Sequence, residues 1–590
     1  MSCTDVSLTD LEDILKTRED KFDNVNKNFD KYKTVVYQLH EFYLENYTDK
    51  FFKRNFIKLF QKLGRRRDIK ISKVLIVYAY QKMIKNNTIQ NSNGFWRYIQ
   101  KKPSRNMSGV NSFAILLPPY PVNNDFNGCK HNCYYCPNQT KANGADVDVA
   151  RSYLLKEPAV QRGYRNGWSA INQMNDRMNS LVVQGHEVDK LELIIEGGTY
   201  TEYPMNFLRE FHRDIFYSAN VYFDQDKRDP LSLEKEIEIN MTTNVRIIGV
   251  CIETRPDAID DEWIKFFRAT GTTRIQLGVQ HTNNRILKKI NRGHTFEQSC
   301  AAVELLRNNC FKVDIHLMPD LPLSNPEEDR KMFDIIFKSS VICPDQVKIY
   351  PCEITPYTVI KQWHDTGKFI PYSDNDPRTL LEVVKYGMKI CPAWVRLPRV
   401  VRDIPLEYIE GGNKYSNLRQ MLDDELKNEG FDNKEIRSRE IGRNPDYDFN
   451  KAIYRYRKYP TGNGLEYFIS LESWDEKAIF GFIRLRIPPK DHSPIFSCLY
   501  NMGLIRELHV YNWIVPVGNI GNTNTTQHRG VGKRLLQIAE WISYFHNLNG
   551  TAVITGEGVR NYYHKRGYIS IETFAIKKFN NNKLFDKLIM

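Results

Sequence analysis

Between residues 110 and 350 six short apolar runs recur: Phe113–Leu117, Leu191–Ile195, Ile247–Ile252, Ile275–Val279, Val313–Met318 and Val347–Tyr350. Between most of them lie amphipathic stretches of helical length, such as those containing Trp263 to Phe267 and Ser299 to Leu306. Strands alternating with helices dictate a parallel sheet, because each parallel crossover needs a helix-length connection. Six such units make a partial (β/α)6 barrel rather than a closed eight-stranded one. In barrels of this kind the reactive groups cluster beyond the C-terminal ends of the strands.

The rest of the chain has a different texture. At 590 residues it exceeds one core, and the reading is an α/β multidomain protein. Residues 1–100 are expected to be a helical, basic region, 101–390 the partial barrel, 391–443 a basic, loop-rich connector, and 444–590 a second α/β domain. In that last domain the strand candidates Leu465–Leu471, Ile479–Ile487, Leu504–Val510 and Thr551–Thr555 surround one strong helix, Gly532–His546. No apolar stretch reaches 18 residues and the first twelve residues are polar and acidic, which argues against a membrane helix or secretory signal. The eleven cysteines are odd in number and mostly scattered singly. That usage fits a reducing, cytoplasmic setting, where clustered thiols bind metal.

One cluster exists. Cys129-Lys-His-Asn-Cys133-Tyr-Tyr-Cys136 follows the first strand. Three thiolates on one loop can hold three irons of a [4Fe–4S] cluster and leave the fourth without a protein ligand. S-adenosylmethionine (SAM) can chelate that open iron. A zinc site would want a fourth Cys or His nearby, and His131 is poorly placed to serve. Two strand-end motifs support the cluster: Glu196-Gly197-Gly198-Thr199, whose glycines admit close backbone approach to a SAM amino group, and Glu253-Thr254-Arg255-Pro256-Asp257. In the latter, Glu253 and Arg255 offer a carboxylate and a guanidinium for ribose and carboxylate contacts.

In the C-terminal domain, Gln527-His528-Arg529-Gly530-Val531-Gly532-Lys533 runs into the strong helix. Backbone N–H groups at a helix start, with glycines beside them, suit a pyrophosphate. The Gln/Arg-x-x-Gly-x-Gly form resembles the acetyl-CoA site of the GNAT acetyltransferases. Asn561-Tyr562-Tyr563 resembles the GNAT segment in which a tyrosine near the thioester sulfur acts as an acid, with core packing the competing explanation for both rings. His509 is a further candidate, or merely a polar strand residue.

Near the N-terminus, Lys53, Arg54, Lys58, Lys62, Arg65, Arg66, Arg67 and Lys70 face a single acid, Asp68, while Phe56, Phe60 and Leu63 recur at helical spacing. One buried apolar face would leave the cations outward, a surface suited to nucleic-acid phosphates or simply a charged helix. The net charge of +13 agrees with either.

From about Lys102 to Phe579 the chain resembles the Elongator protein 3 family. The matching segments include Ser108-Gly109-Val110, Gly278-Val279-Gln280, Asn291-Arg292-Gly293-His294-Thr295, His316-Leu317-Met318-Pro319-Asp320-Leu321-Pro322, Lys348-Ile349-Tyr350-Pro351, Arg402-Asp403-Ile404-Pro405 and Arg506-Glu507-Leu508-His509-Val510-Tyr511. The resemblance implies a radical SAM/GNAT enzyme that modifies the wobble uridine of tRNA. Acetyl-CoA would supply a carbon radical, generated by a deoxyadenosyl radical, for C5 of uridine 34, leaving a carboxymethyl group. It also implies tRNA contacts on the basic N-terminal region and the connector, to which Arg437 and Arg439 would belong, an electron donor, and accessory Elongator-type subunits or a homodimer. Three departures stand out: the shorter first cysteine gap, Asn138 where glycine is usual, and Cys352 to Thr358 replacing a Gly-Thr-bearing stretch. The competing readings are a protein lysine acetyltransferase and a non-catalytic tRNA-binding scaffold.

Overall fold

Apolar side chains at alternate positions bury one face of each central strand beneath helices, and this fixes the register of a parallel sheet. The computed structural model describes residues 19–49, 51–66, 69–101, 109–119, 129–444, 446–511 and 530–579. Its central sheet contains β1 (Asn111–Leu116), β2 (Lys190–Glu196), β3 (Arg246–Thr254), β4 (Thr272–Gln280), β5 (Lys312–Leu317) and β6 (Gln346–Ile349) in sequence order, every pair parallel. The two-residue strand β7 (Glu353–Ile354) leaves this sheet and pairs with β9 (Gly411–Gly412), whereas β8 (Arg396–Arg399) completes it as a seventh parallel strand.

The six expected strands are all present, and this seventh extends them. It lies in the Pro-bearing segment read as connector, where Pro392, Pro398 and Pro405 masked a run of four strand residues. The remaining connector is more ordered than a loop, with helices at Leu418–Asn428 and Ile436–Arg439.

The sheet is an open, curled partial barrel. Its convex face, including Leu193, Ile252, Ile275, Val313 and Val347, forms one core with the outer helices. The alternate residues face the hollow and are polar: Glu192 and Glu196 on β2, Glu253 on β3, Arg274 and Gln276 on β4, Asp314 and His316 on β5, Lys348 on β6.

The described residues between 19 and 99 form helices at Glu19–Lys27, Phe29–Asn46, Phe52–Arg66, Lys73–Lys85 and Asn93–Ile99, as the sequence indicates. Phe52, Phe56 and Leu63 are buried along the helix Phe52–Arg66, while Lys53, Arg54, Lys58, Lys62 and Arg65 are exposed. Arg67 lies outside the described residues.

The C-terminal sheet has the order β10-β11-β12-β13-β14-β16-β15, from β10 (Ile453–Thr461), β11 (Gly464–Glu472), β12 (Ile479–Ile487), β13 (Met502–Val510), β14 (Gly550–Ile554), β15 (Ile569–Ile571) and β16 (Phe574–Lys578). All neighbours are antiparallel except β13 and β14, which pair in parallel from Met502↔Gly550 to Ile505↔Val553. Beyond Ile505 the two strands part while β13 runs on to Val510. Helix Val531–Phe545 begins after Gly530, whose φ of 86° suits glycine.

The two sheets meet at the N-terminal rim of the partial barrel. Asp345, immediately before β6, accepts both guanidinium branches of Arg506 at 2.5 and 2.8 Å and the backbone N–H of Val313 at 2.9 Å. Arg506 also donates to Glu466 at 2.8 Å, and Arg484 reaches Glu507 at 2.8 Å. Asp345, Arg506 and Glu466 are fully buried. Burial disfavours the Asp345 carboxylate, but Arg506 and Arg484 hold its pKa far below the ordinary range. Removing one partner strands a buried charge. Asp345→Ala is therefore expected to cost about 3–5 kcal/mol, measured by denaturant unfolding. A loss below about 1 kcal/mol, the size of a surface pair, would show that the network does not hold the domains together.

Candidate active site

The cysteine loop sits over the C-terminal rim of the partial barrel, held there by backbone bonds from Tyr134 N–H to Ile290 and from Ile360 N–H to Tyr134. Cys129 Sγ accepts from Thr199 Oγ1 at 3.1 Å. Cys133 Sγ accepts from Arg255 and Arg292, each at 3.5 Å. Burial opposes ionisation of Cys133, yet Arg292 and Arg255 bring its pKa below the ordinary value. Cys136 is pushed up to about 11, by burial and then, against the pull of Arg151, by the neighbouring Cys133 and Cys129. His131 is turned away, towards Glu202 at 3.4 Å. Among the described residues no three such ligands close around a single ion. Three spaced thiols beside two guanidiniums fit the corners of a cluster better than a closed tetrahedral zinc site.

Glycine is required at Gly197 and Gly198, with φ of 137° and 53°. A Cβ on Gly197 would lie 2.9 Å from Leu117 Cβ, so the Glu196–Thr199 turn packs tightly against the end of β1. Glu253 is held at both oxygens, by Tyr153 Oη at 3.0 Å and Lys348 Nζ at 3.1 Å. Burial raises its pKa, but Lys348 and His316 bring it down to about 2. Arg255 pairs with Asp257 at 3.0 Å and faces Cys133 at 3.5 Å, on the cluster side of the site. Arg292, Lys348, Tyr153 and His316 were not singled out as site residues. The available signal was polar residues at alternate positions or at the ends of otherwise apolar strands.

At the other rim, β13 and β14 part beyond Ile505, near the start of helix Val531–Phe545. Gly530, Val531, Gly532 and Lys533 stand there, while Gln527, His528 and Arg529 lie outside the described residues. The Tyr562 hydroxyl abuts Gly532, whose Cβ would fall 2.6 Å from it, and the Arg566 guanidinium stacks 3.5 Å from the Tyr562 ring centre. Tyr563 is in the core at 6% exposure. Asn561 donates to the Met241 carbonyl at 3.1 Å, a contact between the two halves of the protein. His509 stacks on Phe482 and sits 4.3 Å from the Tyr511 ring centre.

The two connector arginines are not free surface cations. Arg439, 3% exposed, pairs with Glu472 at 3.0 Å and donates to the Ala393 and Lys434 carbonyls. It is structural, which corrects its assignment to an RNA surface. Arg437 is half-buried and donates to the Pro398 carbonyl; burial, then Arg443 and Arg396, bring its pKa down to about 10.

A thiol-bearing loop at the C-terminal rim of a parallel partial barrel defines a radical SAM enzyme. The Radical SAM superfamily pattern matches residues 123–334, and the Radical_SAM C-terminal domain matches residues 344–428. Relatives named tRNA uridine(34) acetyltransferase from Methanocaldococcus infernus and Methanocaldococcus jannaschii are 34% and 35% identical, covering 81% of this chain and 88% and 86% of theirs. Human Elongator complex protein 3 is 32% identical across 80% of this chain and 84% of its own. The solved Methanocaldococcus infernus Elp3 with an N-terminal deletion superposes with a TM-score of 0.67 at 30% identity, over 80% of this chain and 100% of that one. The chain belongs to the tRNA uridine(34) acetyltransferase family, which includes Elongator complex protein 3. That family implies a [4Fe–4S] cluster and SAM, for which Cys129, Cys133 and Cys136 are the fitting ligands.

Glu196 supplies a pH test of the site. Burial and the neighbouring Glu253 push its pKa up to about 7 from 4.5, against the pull of Lys348. The folded chain therefore keeps a proton that the unfolded chain loses between those values, so this group lowers stability as pH rises through that window. Relative to wild type, Glu196→Gln should gain stability steadily from about pH 4.5 to about 7 and level off above. A difference in unfolding midpoint that stays constant with pH would remove the shift.

Proposed function

We propose that this protein modifies the wobble uridine of tRNA, using acetyl-CoA and SAM to place a carboxymethyl group on C5. The observation that carries this reading is the presence, in one chain, of three spaced thiols at one rim of the partial barrel and a parted β13–β14 pair at the other. Cys129, Cys133 and Cys136 would hold the cluster. When bound, cluster and SAM supply a hydrogen-abstracting radical.

The chain's own residues do the rest. Glu253, fixed by Tyr153 and Lys348, presents an ionised carboxylate suited to ribose hydroxyls. The Gly197–Gly198 turn admits close backbone approach. Gly530–Lys533 start a helix whose N–H groups suit a pyrophosphate, and the Tyr562 hydroxyl beside Gly532 is placed to protonate a thiolate leaving group. Tyr563, packed in the core, is not part of this chemistry. Lys53, Arg54, Lys58, Lys62 and Arg65 would contact tRNA phosphates, a role that supports a cytoplasmic setting. An electron donor is required, and accessory subunits or a second copy would complete the assembly.

No described helix is long and apolar enough to cross a membrane. A plain lysine acetyltransferase would leave the thiol loop unused.

The decisive assay is anaerobic. Reconstituted enzyme with dithionite, SAM, acetyl-CoA and unmodified tRNA should form deoxyadenosine and carboxymethyluridine, and Cys133→Ala should lose both along with its iron. Intact SAM beside slow acetyl-CoA turnover would favour the acetyltransferase reading. For the basic helix, the double variant Lys58→Glu/Lys62→Glu should weaken tRNA binding and reduce its salt dependence, by about 0.9 in log–log slope per lost phosphate contact. An unchanged slope would remove that helix from the tRNA surface.

A further inference from the structure

The two guanidiniums on Cys133 differ in what else holds them. Arg255 Nη1 and Arg292 Nη1 each donate to its Sγ at 3.5 Å. Arg255 is clamped by Asp257, whose carboxylate accepts from Nε and Nη2 at 3.0 Å each. A bidentate pair of this kind neutralises a guanidinium as well as orienting it. Arg292 instead donates through Nε and Nη2 to the Gly278 carbonyl, at 3.2 and 2.7 Å. Among the described residues it forms no ion pair with a carboxylate, so it brings a whole positive charge to the sulfur.

The chain makes room for this arrangement. Arg255 and Arg292 are 2% and 6% exposed. A Cβ on Gly278 would fall 2.7 Å from Arg292 Nη2, and one on Gly293 would fall 3.1 Å from Arg255 Nη2. The Arg292 carbonyl accepts from Arg255 Nη2 at 2.5 Å, which locks the two residues together. His294 lies 3.3 Å from the same Gly278 carbonyl. Burial and then Arg292 bring it down to about 4, so it adds no charge at neutral pH. Cys129, by contrast, receives the neutral Thr199 hydroxyl. A buried cation is costly without a counter-charge, and a packing role alone would be filled by an apolar side chain.

The thiolates of Cys129, Cys133 and Cys136 give the cluster site negative charge, and reduction adds more. The potential of such a centre depends on net charge and on hydrogen bonds to its sulfurs. A buried cation against one sulfur therefore favours the reduced state. We infer that Arg292 sets the electron affinity of the cluster that Cys129, Cys133 and Cys136 would hold, while Asp257 keeps Arg255 from doing the same. Arg292 is a positioning residue: its fork, fixed on Gly278, keeps the charge against Cys133 and so poises the site for a one-electron donor. The inference rests on the cluster and not on the acetyl-CoA or tRNA chemistry proposed above.

The test uses the full-length protein with its cluster reconstituted, and no SAM, acetyl-CoA or tRNA. Electron paramagnetic resonance follows the reduced fraction through a dithionite titration with mediators, and iron and sulfide are counted beside it. Arg292→Gln should hold the same iron but show a ratio of reduced to oxidised cluster about tenfold lower at a given potential, a fall of about 59 mV in the midpoint. Arg292→Lys keeps the charge without the fork and should recover most of that loss. Asp257→Asn should shift the midpoint the other way, because it uncovers the charge of Arg255. Removing the neutral pair together, in Arg255→Gln/Asp257→Asn, should move it far less than Arg292→Gln does.

A wild-type midpoint in iron-loaded Arg292→Gln overturns the inference. So does a downward shift in Asp257→Asn, since a merely disturbed site would move both variants in the same direction. Should Arg292→Gln lose its iron, Arg292→Lys and Asp257→Asn decide: midpoints at the wild-type value in both overturn it, and an upward shift in Asp257→Asn upholds it. Because neither acetyl-CoA nor tRNA enters the measurement, a failure to form carboxymethyluridine would refute the proposed function and leave this result as it stands.

Discussion

A single buried carboxylate, Asp345, ties the two sheets together. It precedes β6, caps the start of β5 through the Val313 N–H, and receives both guanidinium branches of Arg506 from β13. Each partner would be costly alone in an apolar interior. The pair is stable because Glu466, Arg484 and Glu507 complete it. This contact holds the C-terminal sheet against the N-terminal rim of the partial barrel and so fixes the relation between the two sheets.

Neighbouring contacts sharpen the same joint. Arg268 donates to the Thr573 carbonyl at 2.6 Å and lies over the Phe574 ring. Gly556 packs so closely on β3 that an added Cβ would strike the Ile248 carbonyl, so only glycine fits. Arg307 bonds to Thr461 and to the Ile342 and Cys343 carbonyls. A joint built from directional bonds to backbone carbonyls allows little sliding. That rigidity would matter to the proposed reaction, in which both halves of the protein act on one substrate, since a small displacement of reacting atoms costs rate steeply.

The cluster side follows a different logic. There the sheet ends and loops take over, with charges paired rather than buried in apolar surroundings. Arg255 and Arg292 crowd Cys133, while Tyr153 and Lys348 clamp Glu253. Fixed donors around a sulfur and a carboxylate make the site selective before anything binds, because little reorganisation remains when it fills.

The strand alternation and the cysteine spacing determined the class of fold and the place of the thiol loop, because periodicity and loop position are local properties of a sequence. The apolar face of helix Phe52–Arg66 was legible for the same reason. The seventh strand was not, since prolines at 392, 398 and 405 hide four residues that become a strand only by pairing with β6. Nor were the fates of Arg437, Arg439, Asn561 and Tyr563. Each is polar or amphipathic, and its partner lies far along the chain or across the joint between the sheets. Whether such a residue becomes a surface contact, a structural pair or a site residue depends on what folding brings beside it. Only the tertiary structure set the thiol loop and the parting of β13 and β14 at opposite rims of one sheet, because Asp345 and Arg506, 161 residues apart, meet only once both domains are folded.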